Sequence, residues 1–68
     1  MISTNEIFRE IRKRMMDRGV NGDEEFNETM EEVLDEYQDL QIITDDDNVE
    51  ELRQALKEKW TEFKQIGV

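Results

Sequence analysis

Apolar residues recur along the chain at the three- and four-residue spacing that is typical of one face of an α-helix, in three separate segments. Ser3 and Glu6 have the spacing of a capping box, in which a serine hydroxyl accepts a hydrogen bond from the first helical turn. Gly19 follows the first segment and is suited to end a helix. We therefore predict a first helix over about 5–18. Its apolar face consists of Ile7, Phe8, Ile11 and Met15.

The second segment has the most regular spacing, and it predicts a helix over about 23–40. Asp23, Glu24 and Glu25 stand in its first turn, where the helix dipole favours negative charge. The apolar face consists of Phe26, Met30, Val33, Leu34, Tyr37 and Leu40.

The third segment predicts a helix over about 47–65. Asp47 and Glu50 have capping-box spacing, and Asp45 or Asp46 could also cap this helix. Its apolar face consists of Val49, Leu52, Leu56, Trp60 and Phe63.

Residues 41–44 break the helical spacing, and the β-branched pair Ile42 and Ile43 favours an extended conformation there. A single short strand would have no partner, so we predict a connection whose two isoleucines close the end of the core. Short connections between helices favour a bundle. The fold class is therefore predicted to be all-α, a small three-helix bundle that forms one domain over residues 1–68.

The charge pattern is the most informative feature for function. The chain has a net charge of −10, and no Lys or Arg stands between Gly19 and Leu52. The second predicted helix carries a one-sign polar side opposite its apolar face, formed by Glu24, Glu28, Glu31, Glu32, Asp35, Glu36 and Asp39. Repulsion among these carboxylates must be offset by arginines and lysines of the other two helices or by an external cationic partner.

Two hypotheses for function follow. In the first, the protein is an acidic inhibitor or adaptor that binds a basic, nucleic-acid-handling protein. A variant of this hypothesis is that its carboxylates imitate nucleic-acid phosphates, as those of small acidic phage-type inhibitors do. Its predicted contact residues are Glu28, Glu31, Glu32, Asp35, Asp39 and Trp60. In the second, the chain forms a homodimer through the narrow apolar seam of the second helix or through the Trp60 and Phe63 end. A purely solvated acidic face is the third interpretation of the same pattern.

Several classes of function are not expected. The chain contains no His and no Cys, which excludes thiolate or imidazole metal ligands and a Ser-His-Asp triad. We therefore expect no enzymatic activity, no cofactor and no metal. Apolar runs do not exceed two residues, and the start of the chain lacks the features of a signal peptide, so we expect a cytoplasmic protein without a membrane span. Net negative charge disfavours direct binding of nucleic acid.

Residues 17–28 resemble in part the twelve-residue calcium loop of an EF-hand, with Asp17, Asn21, Gly22 and Glu28 at matching positions. Gly19, however, occupies the third position, where a calcium ligand is needed. We interpret this segment as a glycine-capped helix end followed by an acidic helix start.

Overall fold

The fold is described by a computed structural model that covers residues 3–44 and 46–66, with side chains up to residue 64. Within these residues the chain forms three helices: α1 (Thr4–Arg18), α2 (Asp23–Asp39) and α3 (Val49–Ile66). They pack as a compact bundle, and no strand occurs in the described ranges. The predicted all-α three-helix bundle is confirmed.

Both ends of α1 are formed by the predicted capping residues. The Ser3 hydroxyl accepts a hydrogen bond from the Glu6 amide at 3.2 Å. Gly19 has a φ of 71°, in the left-handed region that glycine adopts at little energetic cost. The Gly19 amide donates to the Met16 carbonyl, and the following amide donates to the Met15 carbonyl. This arrangement is a helix stop that uses two carbonyls of the last turn.

The connection from α2 to α3 begins with a sharp turn. Gln41 has a φ of 60°, and the amides of Ile42 and Ile43 both donate to the Tyr37 carbonyl, at 2.9 and 3.1 Å. Ile43 is buried in the core, whereas 41% of Ile42 is exposed. The prediction that both isoleucines close the core is therefore right for Ile43 only.

The start of α3 differs from the predicted one. The side chain of Asn48 accepts hydrogen bonds from the amides of Glu50 and Glu51 at 3.1 and 3.3 Å, so Asn48 is the cap and the helix begins at Val49. The prediction of Asp47 as the cap was wrong, because its carboxylate accepts from the Thr44 amide and closes the preceding turn. Asp45 lies outside the described residues.

The core contains residues from every helix and from the α2–α3 connection: Ile7, Ile11, Met15, Phe26, Met30, Val33, Leu34, Ile43, Leu56 and Trp60. Two residues predicted on apolar faces are largely outside it. Leu40 follows the last residue of α2 and is 62% exposed, and Phe63 is 40% exposed near the end of α3. Both lie at the ends of the bundle, where fewer neighbouring side chains are available to cover them.

The helices run in alternating directions. The starts of α1 and α3 line the same cleft, together with the end of the α2–α3 connection. At the other end, Trp60 and Phe63 of α3 line a groove with Met15 and Met16 of α1. α1 and α3 are therefore parallel to each other, with α2 antiparallel to both, and α2 has one flank towards each of them.

Candidate protein-binding surface on helix α2

Eight of the nine carboxylates of α2 fall into two groups according to their angular position on the helix; Glu25, which is half-buried near the start of the helix, belongs to neither. Phe26 and Val33 define the side that faces the core. With about 100° per residue, Glu31 lies to one side of the outward direction, and Glu32 lies to the other side. Glu24, Glu28, Asp35 and Asp39 point most directly outward.

The flank of α2 that faces α1 is held by arginines. The guanidinium group of Arg18 donates to both carboxylate oxygens of Glu32, at 2.7 and 2.8 Å. Arg14 lies between three carboxylates, at 2.9 Å from Glu10, 3.3 Å from Glu32 and 2.9 Å from Glu36. Two cations of α1 therefore neutralise two carboxylates of α2 and connect the two helices by ion pairs.

Arg18 also contacts Thr29, a buried residue that was not predicted from the sequence. Its guanidinium lies 3.4 Å from the Thr29 hydroxyl, and Thr29 is buried among the apolar residues of α2. Thr29 follows Phe26 by three residues and precedes Val33 by four, so its spacing places it on the apolar side. That spacing was the available signal. A buried hydroxyl needs a partner, and Arg18 provides it.

The flank that faces α3 is paired in the same way. Arg53 donates to both oxygens of Glu31, at 2.6 and 2.9 Å. At the start of α2, Asp23 accepts hydrogen bonds from the indole of Trp60 at 2.8 Å and from the ammonium group of Lys64 at 2.7 Å. These contacts connect α2 to α3 at two points along its length.

Four carboxylates remain on the outward side, and we call them the acidic ridge: Glu24, Glu28, Asp35 and Asp39. All four are exposed, and none takes part in an ion pair within the described residues. No core residue of α2 lies among them. The ridge therefore carries negative charge with no cation at ion-pair distance in the part of the chain that the structure describes.

Some of the ion pairs shift the pKa of one of the two partners. Hydrogen bonds from Arg18 hold the pKa of Glu32 below its usual value. Hydrogen bonds from Lys64 and Trp60 lower the pKa of Asp23. The same type of contact, with Glu31, raises the pKa of Arg53. These groups stay charged at neutral pH, so the flanks remain paired.

The predicted contact residues consequently do not form one uniform surface. Glu28, Asp35 and Asp39 lie on the ridge, whereas Glu31 and Glu32 are paired on opposite flanks. The indole ring of Trp60 stacks on Phe26 with 4.7 Å between ring centroids and is only 6% exposed. Most of the Trp60 ring is therefore covered by the bundle and is not available to a partner.

Neither a metal site nor a membrane span emerges from the described part of the chain. No group of three or more carboxylates there is placed to hold a metal ion, and no helix there is both long and apolar enough to cross a bilayer. Residues 17–28 form the end of α1, the capped turn and the start of α2. Comparison with protein-family models, curated proteins and solved structures finds no match.

Proposed function

We propose that this protein is a non-enzymatic binding protein, an inhibitor or adaptor, that uses the acidic ridge of α2 to bind a basic surface of another protein. The observation that carries the proposal is the division of the carboxylates. Arginines and lysines of α1 and α3 pair with Asp23, Glu31, Glu32 and Glu36 on the flanks, and the ridge between them stays exposed.

A one-sign ridge has a physical consequence for association. A net charge of −10, with four outward carboxylates on one helix, gives a negative potential that attracts a cationic surface from a distance. Such steering acts mainly on the association rate and weakens as salt is added. Since all four ridge residues are exposed, their charge is available without unfolding of any part of the bundle.

The spacing of the ridge supports a basic protein surface more strongly than close imitation of a nucleic acid. From Glu24 to Asp39 the ridge is about 22 Å long at 1.5 Å per residue, so its four carboxylates stand on average about 7–8 Å apart along the axis. Duplex DNA carries one phosphate charge per about 1.7 Å. The partner would then be a basic protein in which the contacted surface need not be its nucleic-acid site.

The variant that tests this proposal must change the ridge and leave the ion pairs in place. Replacement of Glu32 by Lys is unsuitable, because it would put a third cation beside Arg14 and Arg18. Asp35→Lys/Asp39→Lys changes the ridge only. Glu58→Lys/Glu62→Lys is a matched control, with the same charge change and the same four-residue spacing on the exposed side of α3.

The experiment is affinity capture from extract of the native host with immobilised wild-type protein and both variants. We expect a basic protein that wild type and the α3 control capture, that salt elutes, and that the ridge variant fails to capture. Association kinetics with the purified partner should then show a slower association rate for the ridge variant, by about 10-fold or more at low salt. Equal association rates and equal salt dependence for wild type and the ridge variant would contradict the proposal.

A further inference from the structure

An open cleft lies at the end of the bundle where α1 and α3 begin. It has a volume of about 740 Å³. Its apolar part is formed by Ile42, Leu52 and Ala55, and its acidic rim is formed by Asp46, Asp47 and Glu51. Among the described residues that line this cleft there is no Lys or Arg. The chemistry that fits it is an apolar side chain flanked by positive charges.

The last part of α1, away from the cleft, has an apolar side chain flanked by positive charges on its exposed side. Met16 is 68% exposed, the largest fraction among the exposed large hydrophobic residues of the described chain. Lys13 and Arg12 precede it by three and four residues, so they stand beside it on the same face. The Arg12 guanidinium lies 3.8 Å from the centre of the Phe63 ring, which holds it next to Met16. The unbranched, flexible side chain of methionine fits irregular apolar surfaces well.

We propose that this cleft binds the Met16 region, which consists of Met16, Arg12 and Lys13, of a second copy of the chain. The methionine side chain would contact Ile42 and Leu52, while Arg12 and Lys13 would face the acidic rim. The cleft and the Met16 side of α1 are complementary in polarity and in charge, so a second copy of the chain supplies the apolar and cationic groups that fit the cleft. The predicted dimer seam on α2 cannot serve instead, because Met30 and Val33 are buried within the bundle.

The contact is of the head-to-tail type. Met16 and the Thr4 edge of the cleft are about 18 Å apart along α1 at 1.5 Å per residue, so one copy presents both surfaces at separate places. Two different surfaces in contact allow each copy to bind one neighbour at each end, and the assembly grows as a chain unless a rotation closes it. The acidic ridge takes no part in this contact, so the proposal is independent of the one above.

The test uses two variants that each remove one of the two surfaces. Met16→Ser/Lys13→Gln removes the Met16 region, and Ile42→Ser/Asp46→Asn alters the cleft; all four residues are exposed, so the fold should persist and circular dichroism would verify it. Analytical ultracentrifugation at physiological salt, with protein up to about 1 mM, measures the mass. Screening at that salt limits the repulsion between two chains that each carry a charge of −10.

We expect the average mass of wild type to rise with concentration beyond that of a dimer, and each variant alone to remain a monomer. An equimolar mixture of the two variants should form a dimer and stop there, because only one intact cleft and one intact Met16 region remain per pair. The ridge variant Asp35→Lys/Asp39→Lys should associate like wild type. A monomeric wild type at the highest concentration, or a variant that still associates alone like wild type, would overturn the proposal.

Discussion

The flanks and the ridge of α2 carry the same two residue types on the same helix, and they behave differently. Glu32, on one flank, accepts two hydrogen bonds from Arg18, while Asp35, less than one turn away, has no cation within ion-pair distance among the described residues. The angle between them on the helix is about 60°. Angular position relative to the neighbouring helices therefore decides whether a carboxylate stabilises the bundle or remains available at the surface.

The difference also separates folding from binding. Loss of a flank carboxylate removes contacts that join two helices, whereas loss of a ridge carboxylate removes no such contact and lowers the repulsion and the surface potential. Variants of the flanks should consequently lower stability, whereas variants of the ridge should leave it unchanged or raise it.

The largest effect is expected where one cation serves several carboxylates. Arg14 contacts Glu10, Glu32 and Glu36, and its side chain is mostly buried between them. Arg14→Ala should lower the free energy of unfolding by about 1–2 kcal/mol, since exposed pairs contribute about 0.2–1 kcal/mol each and the long side chain also loses packing.

The matched control is Arg9→Ala on the exposed side of the same helix, where no ion pair occurs among the described residues. Its effect should stay within about 0.5 kcal/mol. Urea unfolding of both variants measures the difference. Equal losses for the two variants would mean that the contacts of Arg14 contribute nothing beyond those of an unpaired surface arginine.

The pH dependence of the free energy of unfolding should show the contribution of the flank carboxylate Glu32. The pKa of Glu32 is lower in the folded state than in the unfolded chain, because Arg18 stabilises the charged form. Its contribution is thus fully present above the unfolded pKa, near pH 4, and is lost as the pH falls through the folded pKa. Glu32→Gln should be less stable than wild type at pH 7, and the difference should vanish once Glu32 is protonated.

A ridge variant is the control for the pH dependence of Glu32→Gln. Asp35→Asn should be at least as stable as wild type at pH 7, because it removes a charge that has no partner among the described residues. Chemical unfolding at pH 7, 5 and 3 distinguishes the two variants. A Glu32→Gln protein that is as stable as wild type at neutral pH would show that the Arg18 contact does not hold the helices together in solution.

Salt should act mainly on the ridge. We expect the melting temperature of wild type to rise by about 2–4 °C between low and moderate salt, because screening weakens repulsion over the distances that separate the ridge carboxylates. Asp35→Asn/Asp39→Asn should show a smaller rise. A melting temperature that stays constant or falls with salt would mean that the ion pairs of the flanks dominate the response.

The fold could be predicted from the sequence to a large extent, because helical periodicity and capping chemistry are local. Ser3 and Gly19 mark the ends of α1 in the sequence and form its caps in the structure. The start of α3 was missed because adjacent Asp47 and Asn48 both have side chains suited to a cap. Which of them is used depends on the turn from Thr44, where the carboxylate of Asp47 is already engaged.

The candidate surface could be predicted only in part. Helical periodicity places the acidic residues of α2 away from Phe26 and Val33. It does not indicate on which sides of α2 the helices α1 and α3 lie. Arg53 meets Glu31 across 22 residues of sequence, and only the packing of α3 against α2 brings them together. The division into flanks and ridge is therefore a tertiary property, and the sequence could give only the set from which the ridge is drawn.

The smallest effects are expected within the ridge itself, and their sign should depend on position along the helix. Asp39 stands in the last turn of α2, which contains no basic residue, so its charge opposes the helix dipole and also repels Asp35 four residues before it. Both effects have the same sign, and Asp39→Asn should raise the free energy of unfolding by about 0.5–1 kcal/mol.

Glu24 stands in the first turn of the same helix, where the dipole favours a negative charge. Its repulsion from Glu28 opposes that gain, because like charges four residues apart destabilise a helix by about 0.2–0.5 kcal/mol. Glu24→Gln should therefore change the free energy of unfolding by less than about 0.5 kcal/mol. Urea unfolding of the two variants, measured at low salt, tests the contrast. If both substitutions stabilise the protein equally, repulsion along the ridge outweighs the dipole, and the ridge behaves as a single block of charge.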